Sequence, residues 1–160
     1  MKNILFVLLM MLIIQQSASG CELIKLTISG RYAHLDDQLI DLGEPDDMNT
    51  PQDWHGPVMF KMDTNKQCSI DMDIIEEPIL SDRKKLFIPT YSGSERTLYA
   101  IDMMSCTILW ESKIFYGQTT YQNGILKAGG ERIYLDEQCN VATKHDDNID
   151  RHNGSINKDE

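Results

Sequence analysis

Positive charge is the first thing this chain has little of: 15 Lys and Arg stand against 25 Asp and Glu, a net charge of -10. Such a balance repels nucleic acid and anionic lipid, and it suits a partner, if there is one, that is basic. Sustained helical periodicity is also missing, which argues against a helical bundle. Cysteine is sparse and dispersed, four residues with no CxxC and each more than about thirty residues from the next, and the four His (34, 55, 145, 152) are scattered. That spacing argues against a zinc site, and no cofactor is expected. Nucleophiles lack bases: Ser92-Gly93-Ser94 has no nucleophile-elbow glycine spacing and no nearby His, so the chain reads as a non-enzyme. Carboxylates are so abundant that no pair of them marks a glycosidase.

What is present is organised around Leu86–Cys106. The runs Leu86-Phe87-Ile88 and Leu98-Tyr99-Ala100-Ile101 flank a polar link, Tyr91-Ser92-Gly93-Ser94-Glu95-Arg96, and predict a β-hairpin. Its loop is expected to be about six residues long, longer than the two-residue turn that simply reverses a chain. Ser92 and Glu95 also match a helix capping box, but the alternation that follows favours strand.

Three segments divide the chain. Residues 1–20 carry Lys2, the apolar run Ile4–Ile14 and Ala18-Ser19-Gly20, the pattern of a cleaved secretory signal peptide, so the mature protein is expected in the periplasm. Cys21, directly after the cleavage point, also permits a lipid anchor and hence membrane attachment, although Ala18 stands where such signals want Leu or Val. Residues 21–143 form one all-β domain, and the polar residues 144–160 are too poor in apolar side chains to order themselves. In an exported chain the even set Cys21, Cys68, Cys106 and Cys139 predicts two disulfides. Three pairings exist, and the spacing favours sequence neighbours, Cys21 with Cys68 and Cys106 with Cys139, each worth roughly 4 kcal/mol at most.

Within the domain, Glu22–Ile28 reads as a first strand, and residues 31–56 as a long acidic connection in which only Gln38-Leu39-Ile40 is ordered. Pro57–Met62 and Ser69–Ile74 are the next strands, turned at Asp63–Lys66. After the hairpin and a return loop at Met103–Ser105 come Thr107–Glu111, with Trp110 as core anchor, a turn over Gly117–Gly124, then strands at Ile125–Lys127 and Arg132–Leu135. Short strands at regular spacing describe an antiparallel meander, sandwich-like or propeller-blade-like. The phrase LYAID followed by ILW resembles one blade of a quinoprotein propeller, though a closed propeller needs at least four blades.

The run Tyr91-Ser92-Gly93-Ser94, with Leu98, an acidic residue at 102, Cys106 and a glycine turn near 117, resembles the periplasmic immunity proteins that neutralise type VI secretion peptidoglycan amidases. The resemblance extends to the leader, the strand after Cys21, the acidic insert and the strand before Cys68. It implies an all-β inhibitor that inserts the 91–96 loop into the active site of a cognate cysteine endopeptidase, with Ser94 reaching the catalytic His and Glu95 beside it. Glu95 stands where the family carries a small hydroxyl residue. The flanking strands or the acidic segment 36–47 are then expected to complete the interface. Two other readings stand beside it: a non-catalytic envelope binding module of propeller-blade type, and a periplasmic lysozyme inhibitor.

Overall fold

The computed structural model describes residues 20–62 and 66–142. The expected signal peptide, apart from Gly20, and the expected C-terminal tail fall outside the described residues, as does most of the expected Asp63–Lys66 turn. All regular structure there is antiparallel β. In chain order the strands are β1 (Ile24–Lys25), β2 (Thr27–Ser29), β3 (Tyr32–Leu35), β4 (Gln38–Asp41), β5 (Glu44–Pro45) and β6 (Asp53–His55). Then come β7 (Val58–Lys61), β8 (Gln67–Ile70), β9 (Ile74–Glu76), β10 (Leu80–Ser81) and β11 (Lys85–Ser92). The last five are β12 (Glu95–Asp102), β13 (Thr107–Glu111), β14 (Thr119–Gln122), β15 (Ile125–Ala128) and β16 (Glu131–Ile133).

Three sheets result, and the central one has eight strands built on β11. One edge of β11 pairs β10 in its first half and β9 in its second; the other pairs β12 along its whole length, and β13 follows β12. The other two are the five-stranded β2-β3-β4-β7-β8 and the three-stranded β14-β15-β16. Side chains alternate across a strand, so β11 feeds two cores. Leu86 and Ile88 join Ala33, Ile40, Val58 and Phe60 of the five-stranded sheet, while Phe87, with Leu98 and Ala100 of β12, packs with Leu126 of the three-stranded sheet. A strand covered on both faces has no solvent side, which is why Lys85–Thr90 is buried without a break.

Several expectations are corrected. The strand read over Glu22–Ile28 is two strands, β1 in the central sheet and β2 in the five-stranded one, with buried Leu26 between them donating its N–H to the Ile79 carbonyl at 2.9 Å. Ser69–Ile74 likewise divides between β8 and β9, in different sheets. The supposed turn over Gly117–Gly124 contains β14; the reversal is confined to Asn123-Gly124, which have positive φ. Residues 31–56, expected to be mostly loop, hold β3 to β6 and the fully buried Trp54, whose indole N–H reaches the Gly30 carbonyl at 2.9 Å. Trp110, expected as the core anchor, is only partly buried at the rim of the second core.

The disulfides are two, but nested instead of consecutive: Cys21 bonds Cys139 and Cys68 bonds Cys106 within that loop, in place of the expected Cys21–Cys68 and Cys106–Cys139, with Cα separations of 4.9 and 5.5 Å. The first cysteine meets the last because the central sheet recruits β1 from the start of the domain and the second core gathers Cys21 and Leu23 with Cys139. Cys68, on β8, and Cys106, in the β12–β13 turn, join the five-stranded sheet to the central one. On the chain-entropy model the bridges, separated by 118 and 38 residues, contribute about 5 and about 4 kcal/mol. Paired cysteines fit an oxidising, extracytoplasmic compartment. With its sulfur in the disulfide, Cys21 has no thiol to offer a thioether-linked lipid.

Beside that bridge lies buried Lys85, whose Nζ donates to the Gln138 carbonyl at 2.6 Å and pairs with Asp82 at 3.4 Å. It ties the segment before Cys139 to the central sheet.

Candidate hairpin-tip interface

The β11–β12 hairpin stays in register to its end, with Tyr91 opposite Arg96 and Ser92 opposite Glu95. Only Gly93 and Ser94 remain for the reversal, so the expected six-residue loop is a two-residue turn. Gly93 makes this possible: it takes φ +63° at the first turn position, where a side chain is strained, and glycine there suits the twist of a hairpin.

The six residues singled out by sequence therefore do different things. Ser92, Gly93, Ser94 and Glu95 are exposed. Tyr91 and Arg96, one step below, are half-buried and committed. The Tyr91 hydroxyl donates to Asp53 Oδ2 at 2.8 Å, and that hydrogen bond to a carboxylate, with burial, raises the phenol above its usual value. Arg96 Nε donates to Glu76 Oε1 at 2.8 Å, and its guanidinium lies 5.5 Å from the centre of the Tyr91 ring. Asp53 and Glu76 are register partners on β6 and β9. The hairpin is thus gripped across four adjacent strands by one row of side chains. With 20% and 12% of the Arg96 and Glu76 side chains exposed, this pair is far better shielded from solvent than an ordinary surface ion pair.

On its other flank the hairpin meets residues 112–116. Arg96 and Phe115 exchange both backbone hydrogen bonds, each 3.0 Å, and the Ser112 hydroxyl accepts the Leu98 N–H at 2.9 Å. Chemically the tip offers two hydroxyls, a carboxylate and free backbone on a braced support, a surface suited to entering a polar cleft. Asp53 and Glu76, which hold the tip, escaped the sequence reading. The available signal was the alternation Asp53-Trp54-His55, a strand pattern hidden inside the acidic run.

The acidic segment, expected as a solvated connection that could help complete the interface, keeps Asp36, Asp37, Glu44, Asp46 and Asp47 exposed, but most of its carboxylates already hold hydrogen-bond partners within the chain. Asp41 accepts both Arg31 Nε and Nη2 at 2.8 Å, and this hydrogen-bonded pairing raises the guanidinium further. Asp46 accepts the N–H groups of Gln52 and Asp53, Asp47 those of Asn49 and Thr50, and Asp36 pairs with Arg83. All four cysteines are in disulfides, and among the described residues no three His, Cys, Asp or Glu side chains converge on a metal-sized site. The sequence matches no protein-family model and no curated protein.

Proposed function

We propose that the chain is a non-catalytic periplasmic inhibitor that protects against a secreted cysteine peptidoglycan amidase by lodging its hairpin tip in the enzyme's cleft. The observation that carries this reading is the division of labour at the hairpin: Ser92–Glu95 are exposed, while Tyr91 and Arg96 are held from below by Asp53 and Glu76. A knob so braced loses little conformational entropy on binding, which is how a small contact gains affinity. A cysteine endopeptidase works through a thiolate and an imidazolium. The Ser94 hydroxyl at the imidazole would occupy the base, and the hairpin behind it would exclude substrate. Export by the leader places the inhibitor where peptidoglycan is, and the net charge of -10 favours rapid encounter with a basic enzyme.

The test is reconstitution. The adjacent open reading frame is identified, its product, expected to be a cysteine amidase, is mixed with the protein tagged at its mature C-terminus, and digestion of purified sacculi is followed by fragment analysis. Stoichiometric suppression of cleavage is expected, with no fragments from the protein alone. Unimpeded digestion at a molar excess of the protein sinks the proposal. So does turnover by the protein itself that one point mutation abolishes.

A further inference from the structure

Ile114 and Tyr116 are large apolar side chains left 59% and 63% exposed, one on each side of Phe115. Phe115 packs against the second core. Because side chains alternate along an extended segment, the residues before and after it point the opposite way, towards solvent. The double backbone hydrogen bond between Phe115 and Arg96 fixes this pair one residue from the exposed Glu95. A groove of about 550 Å³ continues from them over Phe115 to Ala128, Gly129 and Ile133. Two neighbouring large apolar side chains held in water beside the exposed hairpin tip, and continuous with an apolar-lined groove, form a patch that a partner can cover.

We infer that Ile114 and Tyr116 form the second half of the partner contact, an apolar shoulder that seats against the rim of the cleft the hairpin tip enters. The inference rests on the inhibitor reading above and extends its footprint. Area requires such an extension. A stable complex covers about 800 Å² on each partner, beyond what a two-residue turn and its flanking pair can bury, whereas one aromatic side chain alone covers roughly 150–250 Å². The acidic segment is the competing source, but its carboxylates at 36, 41, 46 and 47 already hold backbone N–H groups or arginines. The occupant is therefore a protein whose cleft is polar inside and apolar at its lip.

The probe is the cysteine amidase that the inhibitor reading expects from the adjacent open reading frame, inactivated by replacing its nucleophilic cysteine with alanine. Its affinity is measured by calorimetry for wild type, the double variant Ile114→Ser with Tyr116→Ser, Ser94→Arg, and a control, Leu39→Ser, exposed on the five-stranded sheet. The double variant is expected to weaken binding at least tenfold with an unchanged melting temperature, and the control to leave binding alone. If Ser94→Arg abolishes binding while the double variant stays within twofold of wild type, the shoulder is excluded and the tip reading survives. If wild type does not bind, the inhibitor reading falls and the shoulder with it. Light scattering of the free protein closes the remaining route: a dimer that the double variant dissociates without loss of amidase affinity would assign the patch to self-association and overturn the inference.

Discussion

Two polar stretches of this chain look alike in sequence and behave in opposite ways. Residues 31–56 and the hairpin end 91–96 are both rich in groups that hydrogen-bond, and both read as solvated connections. In the first, most of the carboxylates, though not Asp37, have partners among the described residues: Asp41 with Arg31 and the Gly43 N–H, Asp46 and Asp47 with the N–H groups that follow them, Asp53 with Tyr91. In the second, the side chains of Ser92, Ser94 and Glu95 make no hydrogen bond or ion pair among the described residues. Polarity alone does not distinguish a scaffold from a binding surface; what each polar atom already holds does. An aspartate that has accepted two backbone N–H groups has little left for a partner, while a serine on a braced turn has all of its capacity.

The strongest challenge to this contrast is to treat the acidic stretch as the loop it resembles and remove Trp54. A true surface loop would tolerate the change within about 0.5 kcal/mol. Trp54 is fully buried and hydrogen-bonded, so Trp54→Ala is expected to cost about 3–5 kcal/mol in urea unfolding. A midpoint close to wild type would return the segment to the surface. The hairpin end should behave in the reverse sense. On the inhibitor reading proposed above, Ser94→Arg is expected to leave the melting temperature unchanged and to cost at least about 2 kcal/mol in binding the inactivated amidase, roughly a thirtyfold loss. A long cation at a central contact both clashes and repels an imidazolium. Equal affinity for this variant moves inhibition to another surface.

How much of this was legible depends on which residues carried a local signal. The β11–β12 hairpin, β13, β15 and the Gly129-Gly130 reversal announce themselves through alternating apolar residues bounded by glycine or polar turns. The strands β3 to β6 did not, because the carboxylates that close their turns masked the alternation of Tyr32–Leu35 and Asp53–His55. The true length of the tip depends on register, which is set by Gly93 and by Arg96 meeting Tyr91. Disulfide connectivity is a property of sheet order, which no window of sequence contains. One pattern was available and overlooked: Asp102 precedes Cys106, and Asp136 precedes Cys139, each with two or three residues between. In both, the carboxylate accepts N–H groups of the turn and the cysteine sits at positive φ, 56° and 57°, so these aspartates shape the turns that present the sulfurs.

The smallest effect sharpens the contrast most directly, because it titrates the internal charges and leaves the tip alone. The carboxyl of Asp46 is held below its ordinary value by the N–H groups of Gln52 and Asp53, that of Asp102 by the N–H of Ser105, and that of Asp136 by the amide side chain and N–H of Asn140. A group depressed in the folded state contributes stability that is complete above its unfolded value, about 3.9 for aspartate, and that is lost as pH falls through the lower folded value. Stability in urea is therefore expected to be level from pH 7 to about pH 5 and to fall below about pH 4. Replacing Asp102 by Ala removes one such acceptor and, allowing for solvent screening at a half-exposed turn, is expected to cost about 1 kcal/mol at pH 7. The gap to wild type should then narrow as the pH falls through the lowered folded value, where wild type also loses the charge. Ser94→Ala, which removes a group with no internal partner, should follow the wild-type curve at every pH. An Asp102→Ala gap that stays constant from pH 7 to pH 2 would show that the carboxylate's charge is not what closes the turn, and the division between spent and unspent polar groups would lose its energetic basis.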